Sequence, residues 1–424
     1  MKKSLIVNIA QLATPTGRQA VAGSAMRTLQ IIENAAVYIE DGIIKRVGTQ
    51  KDILADFVQK GLEMSDIDFI SAEGHAVIPG FVDSHTHFIF GGYREEEFIN
   101  RLSGMEYMEI MRRGGGIQST VNATREASRQ DLYDRGMDRL KSMLSQGITT
   151  VEGKSGYGLD RDCELKQLSV MNELDDSQPI DIVRTYLGGH ASSDLFGNDN
   201  EKYIRFMVQD VLPYIKKEGL AEFCDVFCED SVFSVEESRK LLSEAANMGF
   251  KLKIHADEIV SLGGAELAGE LHAVSADHLL MVSDAGIEAL KKNQVMATLL
   301  PCTAFCLNKP FAPARRMIDS GCAVALASDL NPGSCFANSI ALMLALAVIK
   351  MNMSIEEAVT ALTLNGAAAV GRADMIGSIE EGKKADLVVL DYPSYKFLVY
   401  HTGTNIVSKV IKEGKIVYEN PICK

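Results

Sequence analysis

The sequence predicts a (β/α)₈ barrel with a small β-sandwich-like domain that is formed from both termini. Three observations predict this fold class. Short apolar runs alternate with amphipathic stretches through the middle of the chain, the two ends carry similar hairpin patterns, and polar residues follow the apolar runs. The 424 residues are sufficient for a barrel of about 250 residues with insertions and a second module.

The two ends of the chain are expected to form one small β domain. Residues 36–39 and 43–47 flank an Asp41-Gly42 turn, a pattern typical of a β-hairpin. The same pattern recurs around Glu413-Gly414 near the C-terminus. We therefore assign residues 1–75 and 377–424 to the small β domain, and residues 76–376 to the barrel.

Eight short apolar runs are predicted to be the barrel strands. They are separated by longer segments, such as 234–248 and 284–292, whose apolar residues recur with the period of a helix. Eight such strands with helical crossovers favour a closed parallel barrel over an open sheet. The runs are residues 77–82, 149–152, 180–187, 224–228, 251–255, 273–277, 295–299 and 323–327.

Composition excludes several classes of protein. The formal net charge of −14 argues against a surface for nucleic acid or anionic membranes. No run reaches the roughly 18 apolar residues of a membrane span, and residues 340–349 are better interpreted as a buried helix. The scattered cysteines are typical of reduced thiols. We expect a cytoplasmic protein without a nucleic-acid or membrane partner.

The first predicted barrel strand leads into a pair of histidines. His85 and His87 are separated by one residue, so on an extended strand both imidazoles point the same way and can bind one ion. Alone this pattern is weak evidence, because solvated or buried histidines also produce it. His255 at the end of a later run and Asp329 after the last run complete a set of three imidazoles and a carboxylate. That set suits zinc or iron.

The positions of the remaining histidines strengthen this interpretation. Barrel enzymes place their chemistry at the C-terminal ends of the strands. Packing alone does not explain why five of the eight histidines lie at or just after predicted strand ends. These five are His85, His87, His190, His255 and His278.

Several stretches together resemble the amidohydrolase superfamily. The chain is similar, more narrowly, to those members that open an imidazolone ring in histidine breakdown. The resemblance runs over nearly the whole chain. It rests on His85-Thr86-His87, Phe90-Gly91-Gly92-Tyr93-Arg94, Arg113-Gly114-Gly115-Gly116-Ile117, Lys154-Ser155-Gly156-Tyr157-Gly158, His255-Ala256-Asp257-Glu258, Ala276-Asp277-His278 and Asp329-Leu330-Asn331-Pro332-Gly333-Ser334.

The resemblance implies a cofactor, a reaction and an assembly. The cofactor is one divalent or trivalent transition metal per chain, zinc or iron, held by His85, His87, His255 and Asp329. The reaction is hydrolysis of the cyclic amide 4-imidazolone-5-propanoate, a small anionic heterocycle, to N-formimino-L-glutamate. The enzyme is expected to be a cytoplasmic homodimer.

The resemblance also implies a substrate-binding set. Arg94 would bind the substrate's carboxylate, because a guanidinium matches two oxygens; the alternative is a surface salt bridge with the acidic run 95–97, which we interpret as a solvated helix start. The tyrosines have core packing as their alternative, and Asn331-Pro332-Gly333-Ser334 alone indicates only a turn. The implied set is Arg94, Tyr107, Tyr157, His190, His255, Glu258, Asn331, Gly333 and Ser334.

Proton transfer has three candidates, Glu258, His278 and Asp329, and the sequence does not divide the roles among them. Glu258 and His278 have an alternative role in orienting other groups. Many binuclear relatives carry a carboxylated lysine on a middle strand. Lys154 lies near such a position, but its context resembles the mononuclear members, so we expect it to be unmodified.

Two competing functions remain open at this point. One is another amidohydrolase, such as a purine-ring deaminase, which would use the same metal ligands but release ammonia. The other is a catalytically silent barrel that binds a ligand or partner. The complete set of His85, His87, His255, His278 and Asp329 argues against a silent barrel.

Overall fold

The computed structural model describes residues 2–60, 64–105, 109 and 115–421. These residues form two eight-stranded sheets, a terminal sheet and a barrel. The strands, in chain order, are β1 Lys3–Thr14, β2 Gln30–Glu40, β3 Ile43–Thr49, β4 Asp68–Ser71, β5 Ala76–Pro79, β6 Phe81–Asp83, β7 Ile148–Lys154, β8 Asp181–Gly189, β9 Phe223–Cys228, β10 Lys251–Ala256, β11 Ser275–His278, β12 Met296–Leu299, β13 Val324–Leu326, β14 Leu387–Leu390, β15 Val407–Lys412 and β16 Lys415–Glu419.

Helices connect the barrel strands and flank both sheets. The α-helices are α1 Gln50–Lys60, α2 Glu95–Leu102, α3 Ile117–Glu126, α4 Arg129–Ser145, α5 Arg161–Ser177, α6 Asn200–Phe206, α7 Leu212–Glu218, α8 Val235–Asn247, α9 Gly264–Glu270, α10 Asp284–Lys292, α11 Pro301–Cys306, α12 Ala314–Ser320, α13 Ile340–Ile349, α14 Ile355–Leu362, α15 Leu364–Ala369 and α16 Phe397–Tyr400. Short 3₁₀ turns lie at Gly23–Arg27, Met64–Asp66 and Asp194–Phe196, and a π-helical turn at Met207–Val211.

Strands β6 to β13 form the predicted (β/α)₈ barrel. Each strand pairs in parallel with the next one along the chain. The ring is closed just beyond the first and last strands, where Asp329 N donates to His85 O at 3.0 Å and His87 N donates to Leu330 O at 2.9 Å. The closing segments therefore carry the candidate metal ligands. Seven of the eight predicted runs agree with the observed strands to within two residues.

The predicted first strand, residues 77–82, is wrong in part. Ala76–Pro79 pairs with β1 and β14 in the terminal sheet, and only Phe81–Asp83 enters the barrel. The chain passes between the two sheets at Gly80, where a Cβ would collide with the buried side chain of Thr149. A continuous apolar run concealed this change of sheet.

The terminal sheet contains strands from both ends of the chain, as predicted. Its order is β16-β15-β14-β5-β1-β2-β3, with β4 paired to β1. Both predicted hairpins are confirmed, and their turns at Asp41-Gly42 and Glu413-Gly414 have the positive φ angles of tight hairpin turns. The strands are hydrogen-bonded into one sheet, which encloses its own apolar cluster. The domain limits at 75/76 and 376/377 stay a prediction, and β5 lies on the barrel side of the first limit.

The helices that the sequence predicted are also present. The segment 234–248 contains α8, whose capping box joins Ser234 to Glu237, and 284–292 coincides with α10. Helix α13 buries seven of its ten residues, which agrees with its interpretation as a core helix. None of the helices described here is long and apolar enough to cross a membrane.

Candidate active site

The barrel brings the four predicted metal ligands together at one end. His85 and His87 follow β6, His255 lies on β10, and Asp329 follows β13. All four are nearly completely buried. Ligand atoms of His85, His87 and His255 lie within 4.8 Å of one another, as do those of His85, His278 and Asp329.

The facing atoms of these side chains fit a cation. His87 Nε2 lies 3.4 Å from His255 Nε2, and Asp329 Oδ1 lies 3.6 Å from the Nε2 atoms of both His85 and His87. His85 Nε2 is buried without a hydrogen-bond partner among the described residues. Burial, followed by neighbouring positive groups, holds the pKa of His85 and His87 well below the usual value. Neutral imidazoles that face each other in this way suit a metal ion.

Two buried carboxylates contact the far side of these imidazoles. His85 Nδ1 lies 2.6 Å from Asp277 Oδ2, and His255 Nδ1 lies 3.0 Å from Asp225 Oδ2. Such a carboxylate fixes the ring tautomer, so that Nε2 is left to face an ion. Sequence reasoning gave Asp225 and Asp277 no role. For Asp225 the available signal was a charged residue inside the otherwise apolar strand β9, whereas β11, Ser-Ala-Asp-His, gave no such signal for Asp277.

Two lysines neutralise these carboxylates. Lys154 Nζ lies 2.7 Å from Asp225 Oδ2 and 3.0 Å from Glu152 Oε1, and Lys253 Nζ lies 3.1 Å from Glu152 Oε2. We call Glu152, Lys154, Asp225, Lys253 and Asp277 the charge layer; all five are fully buried. Burial lowers the pKa of Lys154, but Asp225 and Glu152 outweigh this effect and raise it above its ordinary value. The placement of Lys154 near a middle strand was wrong, since it ends β7, the second barrel strand.

Asp329 is held in place by a neighbouring helix. Its Oδ2 accepts a hydrogen bond of 2.7 Å from Thr303 Oγ1 on α11, which leaves Oδ1 directed at the imidazoles. Burial raises the pKa of Asp329 to about 6, although the bond from Thr303 opposes the shift. Its φ of 53° is unusual for a residue other than glycine, as is common at functional sites.

Glu258 and His278 lie beside the four ligands. Glu258 Oε1 lies 3.6 Å from His278 Nδ1, too far for a hydrogen bond. Burial, assisted by the charges of Asp329 and Glu229, raises the pKa of Glu258 to about 8. The structure thus brings both residues to the same end of the barrel, and it leaves Glu258 protonated near neutral pH.

Tyr157 and His190 form an aromatic wall next to His87. The rings of His190 and His87 stack with centroids 4.9 Å apart, and the Tyr157 ring lies 5.2 Å from that of His190. Burial lowers the pKa of His190 to about 3 and raises that of Tyr157 above its ordinary value, so both are neutral at pH 7. The loop that bears Tyr157 is fixed by the buried Glu164, which accepts hydrogen bonds from Gly156 N and Gly158 N.

Arg94 is already paired with Glu97. Its Nε donates to Glu97 Oε2 at 2.9 Å, and its Nη2 donates to Glu97 Oε1. Glu97 is only 9% exposed and also accepts from Gly116 N at 2.8 Å, so its interpretation as part of a solvated helix start was wrong. The remaining nitrogen, Nη1, lies against Gly333, where a Cβ would overlap it.

The loop after Asp329 is stabilised by its own side chains. Asn331 Oδ1 accepts from Gly333 N at 2.9 Å and from Ser334 N at 2.8 Å, while Asn331 Nδ2 donates to Ser334 Oγ at 2.8 Å. This network places Gly333 next to Arg94. Tyr107 lies outside the described residues, as do Arg113 and Gly114.

Solved structures share this fold at low sequence identity. A guanine deaminase from E. coli aligns with a TM-score of 0.73 and 15% identity, over 99% of this chain and 100% of that one. An adenosine deaminase from Xanthomonas campestris with bound zinc gives a TM-score of 0.69 and 17% identity, over 98% of this chain and 92% of that one. These similarities show the fold alone.

Sequence relatives are much closer. A profile of the amidohydrolase family matches residues 76–417. A Clostridium tetani protein named imidazolonepropionase is 58% identical over 421 residues, 99% of each chain. A Parabacteroides distasonis protein of the same name is 58% identical over 414 residues, 98% of each chain. Given this identity over almost the full length, the chain belongs to the amidohydrolase family and, within it, to the imidazolonepropionases.

Proposed function

We propose that the chain hydrolyses 4-imidazolone-5-propanoate to N-formimino-L-glutamate, a step of histidine degradation. One observation carries the proposal: His85, His87, His255 and Asp329 converge at the mouth of the barrel, in a chain that is 58% identical to proteins named imidazolonepropionase. In this reaction water adds to the ring carbonyl carbon, the carbon–nitrogen bond of the cyclic amide breaks, and the departing nitrogen takes up a proton.

His85, His87, His255 and Asp329 would hold one transition metal, zinc or iron. When bound, such an ion polarises a carbonyl group and lowers the pKa of water toward neutrality. Asp277 and Asp225 keep the His85 and His255 rings in the required tautomer through contacts of 2.6 and 3.0 Å. Thr303 orients the Asp329 carboxylate.

Glu258 donates a proton toward the substrate. With its pKa raised to about 8 by burial, its carboxyl group carries a proton at pH 7 and can donate it to a ring nitrogen. His190 has the complementary role. Its Nδ1 lies 3.1 Å from the Gly156 carbonyl oxygen and must therefore carry the hydrogen, so Nε2 is left as an acceptor for a ring N–H group.

The substrate's carboxylate is bound at the loop after Asp329. Arg94 Nη1 lies against Gly333, four residues beyond Asp329, so one short loop connects the reaction centre to a positive charge. Glu97 holds the guanidinium in that position. Asn331 and Ser334 shape the loop through their mutual hydrogen bond, and we assign both residues to the same carboxylate site.

The setting of the enzyme is also part of the proposal. We place it in the cytoplasm as a homodimer whose ligand is this small anionic heterocycle. The net charge of −14 supports the absence of a nucleic-acid partner. The small β domain of residues 1–75 and 377–424 and the barrel of residues 76–376 are proposed as its two domains.

A direct assay tests the proposed function. The purified protein should consume 4-imidazolone-5-propanoate with loss of the ring absorbance, and a coupled assay should detect no ammonia. Ammonia released from guanine or a related ring, with the imidazolone untouched, would identify a deaminase. No turnover of either substrate would identify a binding protein.

Metal analysis completes the test. The wild type should contain about one zinc or iron per chain, and His255→Ala should lose both metal and activity. His75→Ala is the matched control, because His75 lies outside the site and uses only its backbone in the hydrogen bonds to Ala10 and Ala72. Full activity in metal-free wild-type protein would refute the role of the ion.

A further inference from the structure

The charge layer surrounds the ammonium group of Lys154 with carboxylates from three different strands. Lys154 Nζ lies 2.7 Å from Asp225 Oδ2 on β9, 3.0 Å from Glu152 Oε1 on β7 and 3.8 Å from Asp277 Oδ2 on β11. All of these side chains are fully buried. Three buried carboxylate oxygens enclose the position of Lys154 Nζ. A cation must occupy this position, since unpaired buried carboxylates are strongly destabilising.

Two of these carboxylates, Glu152 and Asp277, have the arrangement of metal ligands. Ligand atoms of His85, Glu152 and Asp277 lie within 4.8 Å of one another. Glu152 Oε2 is paired with Lys253 Nζ at 3.1 Å, whereas Asp277 Oδ1 is buried and, among the described residues, forms no hydrogen bond. Carboxylate oxygens suit a divalent ion such as Mn²⁺ or Zn²⁺.

We propose that Lys154 keeps the centre mononuclear, because its ammonium group occupies the position that a second metal ion would take. The inference rests on the proposed metal centre and concerns how many ions that centre accepts. Lys154 is a positioning residue in this scheme, since it acts through Asp225 and Asp277, which contact His255 and His85.

The balance of charge agrees with a single divalent ion. The three carboxylates of the charge layer and Asp329 carry four negative charges when ionised, and Lys154 and Lys253 supply two positive charges. One divalent ion supplies the remaining two. Loss of Lys154 would leave one buried negative charge unbalanced and would open space between three carboxylates.

Lys253 does not occupy an equivalent position. Its Nζ donates to the Ser84 carbonyl oxygen at 3.0 Å and lies 3.4 Å from that of Ala369, and it lies near two carboxylates, Glu152 at 3.1 Å and Asp277 at 3.6 Å. In the described part of the chain, the polar contacts of Lys154 Nζ are, in contrast, with carboxylates only. The substitution that tests the proposal is therefore Lys154→Ala.

The experiment counts metal ions. The wild type, Lys154→Ala and the double variant Glu152→Gln/Lys154→Ala are loaded with excess Zn²⁺ or Mn²⁺, desalted and analysed by mass spectrometry of the metals. We expect one ion in the wild type, two in Lys154→Ala and one in the double variant, which loses a ligand together with the ammonium. Anomalous scattering from crystals of Lys154→Ala should place the second ion among Glu152, Asp225 and Asp277.

The possible results separate the two proposals. Wild-type protein that binds no metal would overturn the proposed metal centre. One ion in the wild type and one in Lys154→Ala would overturn only the role of Lys154. If Lys154→Ala does not fold, titration of the wild type with a large excess of metal decides: uptake of a second ion into the charge layer contradicts the proposal, and saturation at one ion supports it.

Discussion

Arg94 shows how one side chain is directed at its ligand by another. Glu97 binds the Nε and Nη2 atoms and leaves Nη1 at Gly333. A lysine cannot pair with Glu97 and also present a second nitrogen to the substrate. Arg94→Lys should therefore lower kcat/KM about 100-fold, at roughly 1.5–3 kcal/mol for each charge-assisted bond. Steady-state kinetics with the carboxylate-bearing substrate measure this effect.

Arg129→Lys is the control for that substitution. Arg129 pairs with Glu173 at 2.8 Å on the surface, and both side chains are about half exposed. Such exposed pairs contribute little, so its kinetics should match the wild type. Unchanged kinetics in Arg94→Lys would show that Arg94 does not bind the substrate's carboxylate.

The raised pKa of Glu258 leads us to predict that kcat depends on pH. Burial raises its pKa to about 8, so the proton-donating form predominates below that pH and is lost as the pH rises through it. The kcat of the wild type should fall on the alkaline side with this pKa. Glu258→Gln cannot ionise, so its lower activity should show no such fall. If the variant retains the same alkaline limb, another group is responsible.

At the scale of the strand, alternation explains what the sequence was able to predict. His85, His87 and His255 were predictable because residues two apart on a strand share a face, and strand ends meet at one rim of a barrel. The same alternation pairs Lys253 with His255, yet the charge layer was missed. Pairs such as Lys154 with Asp225 and Lys253 with Glu152 join strands that are distant in sequence, and the sequence alone does not show which lysine meets which carboxylate.

Prediction from the sequence is also limited where neighbouring residues pack in different surroundings. The run 77–82 is apolar throughout, but its two halves lie in different sheets. Gly80 allows the chain to pass close to Thr149 between them. Similarly, Glu95 and Glu96 are exposed as expected, whereas Glu97 is buried against Arg94. Local composition does not distinguish these neighbours. Only the packed fold does.

Asp277 on strand β11 allows a test of the role of the carboxylates that contact the metal-binding imidazoles. Asp277→Asn replaces the acceptor at His85 Nδ1 by an amide that can also donate, and so permits the wrong tautomer. Metal affinity should fall about 10- to 100-fold, measured by competition with a chelator. Asp391→Asn, beyond β14 and away from the site, should bind metal as the wild type does. Equal affinity in all three proteins would refute the role of Asp277.

At the scale of the molecule, Gly80 joins the terminal sheet to the barrel. Gly80→Ala should destabilise the protein by about 1–3 kcal/mol, because its Cβ would collide with the buried, β-branched Thr149. Chemical denaturation measures the loss. Gly48→Ala is the control, since the nearest described atom to its Cβ would be Ile53 Cγ1 at 3.9 Å and its backbone is in an ordinary region. A Gly80→Ala protein as stable as this control would contradict the close approach.

The terminal sheet can be completed only late in synthesis, because its strands come from both ends of the chain. Strands β1 to β3 leave the ribosome more than three hundred residues before β14 to β16, which complete the same sheet. Until Leu387 and Ile411 arrive, the apolar face formed by Ile6 and Val37 has no cover from the late strands. Pairings between such distant segments form slowly, and uncovered strands invite association with other chains. During most of its translation the nascent chain therefore exposes apolar strands that can associate with other chains.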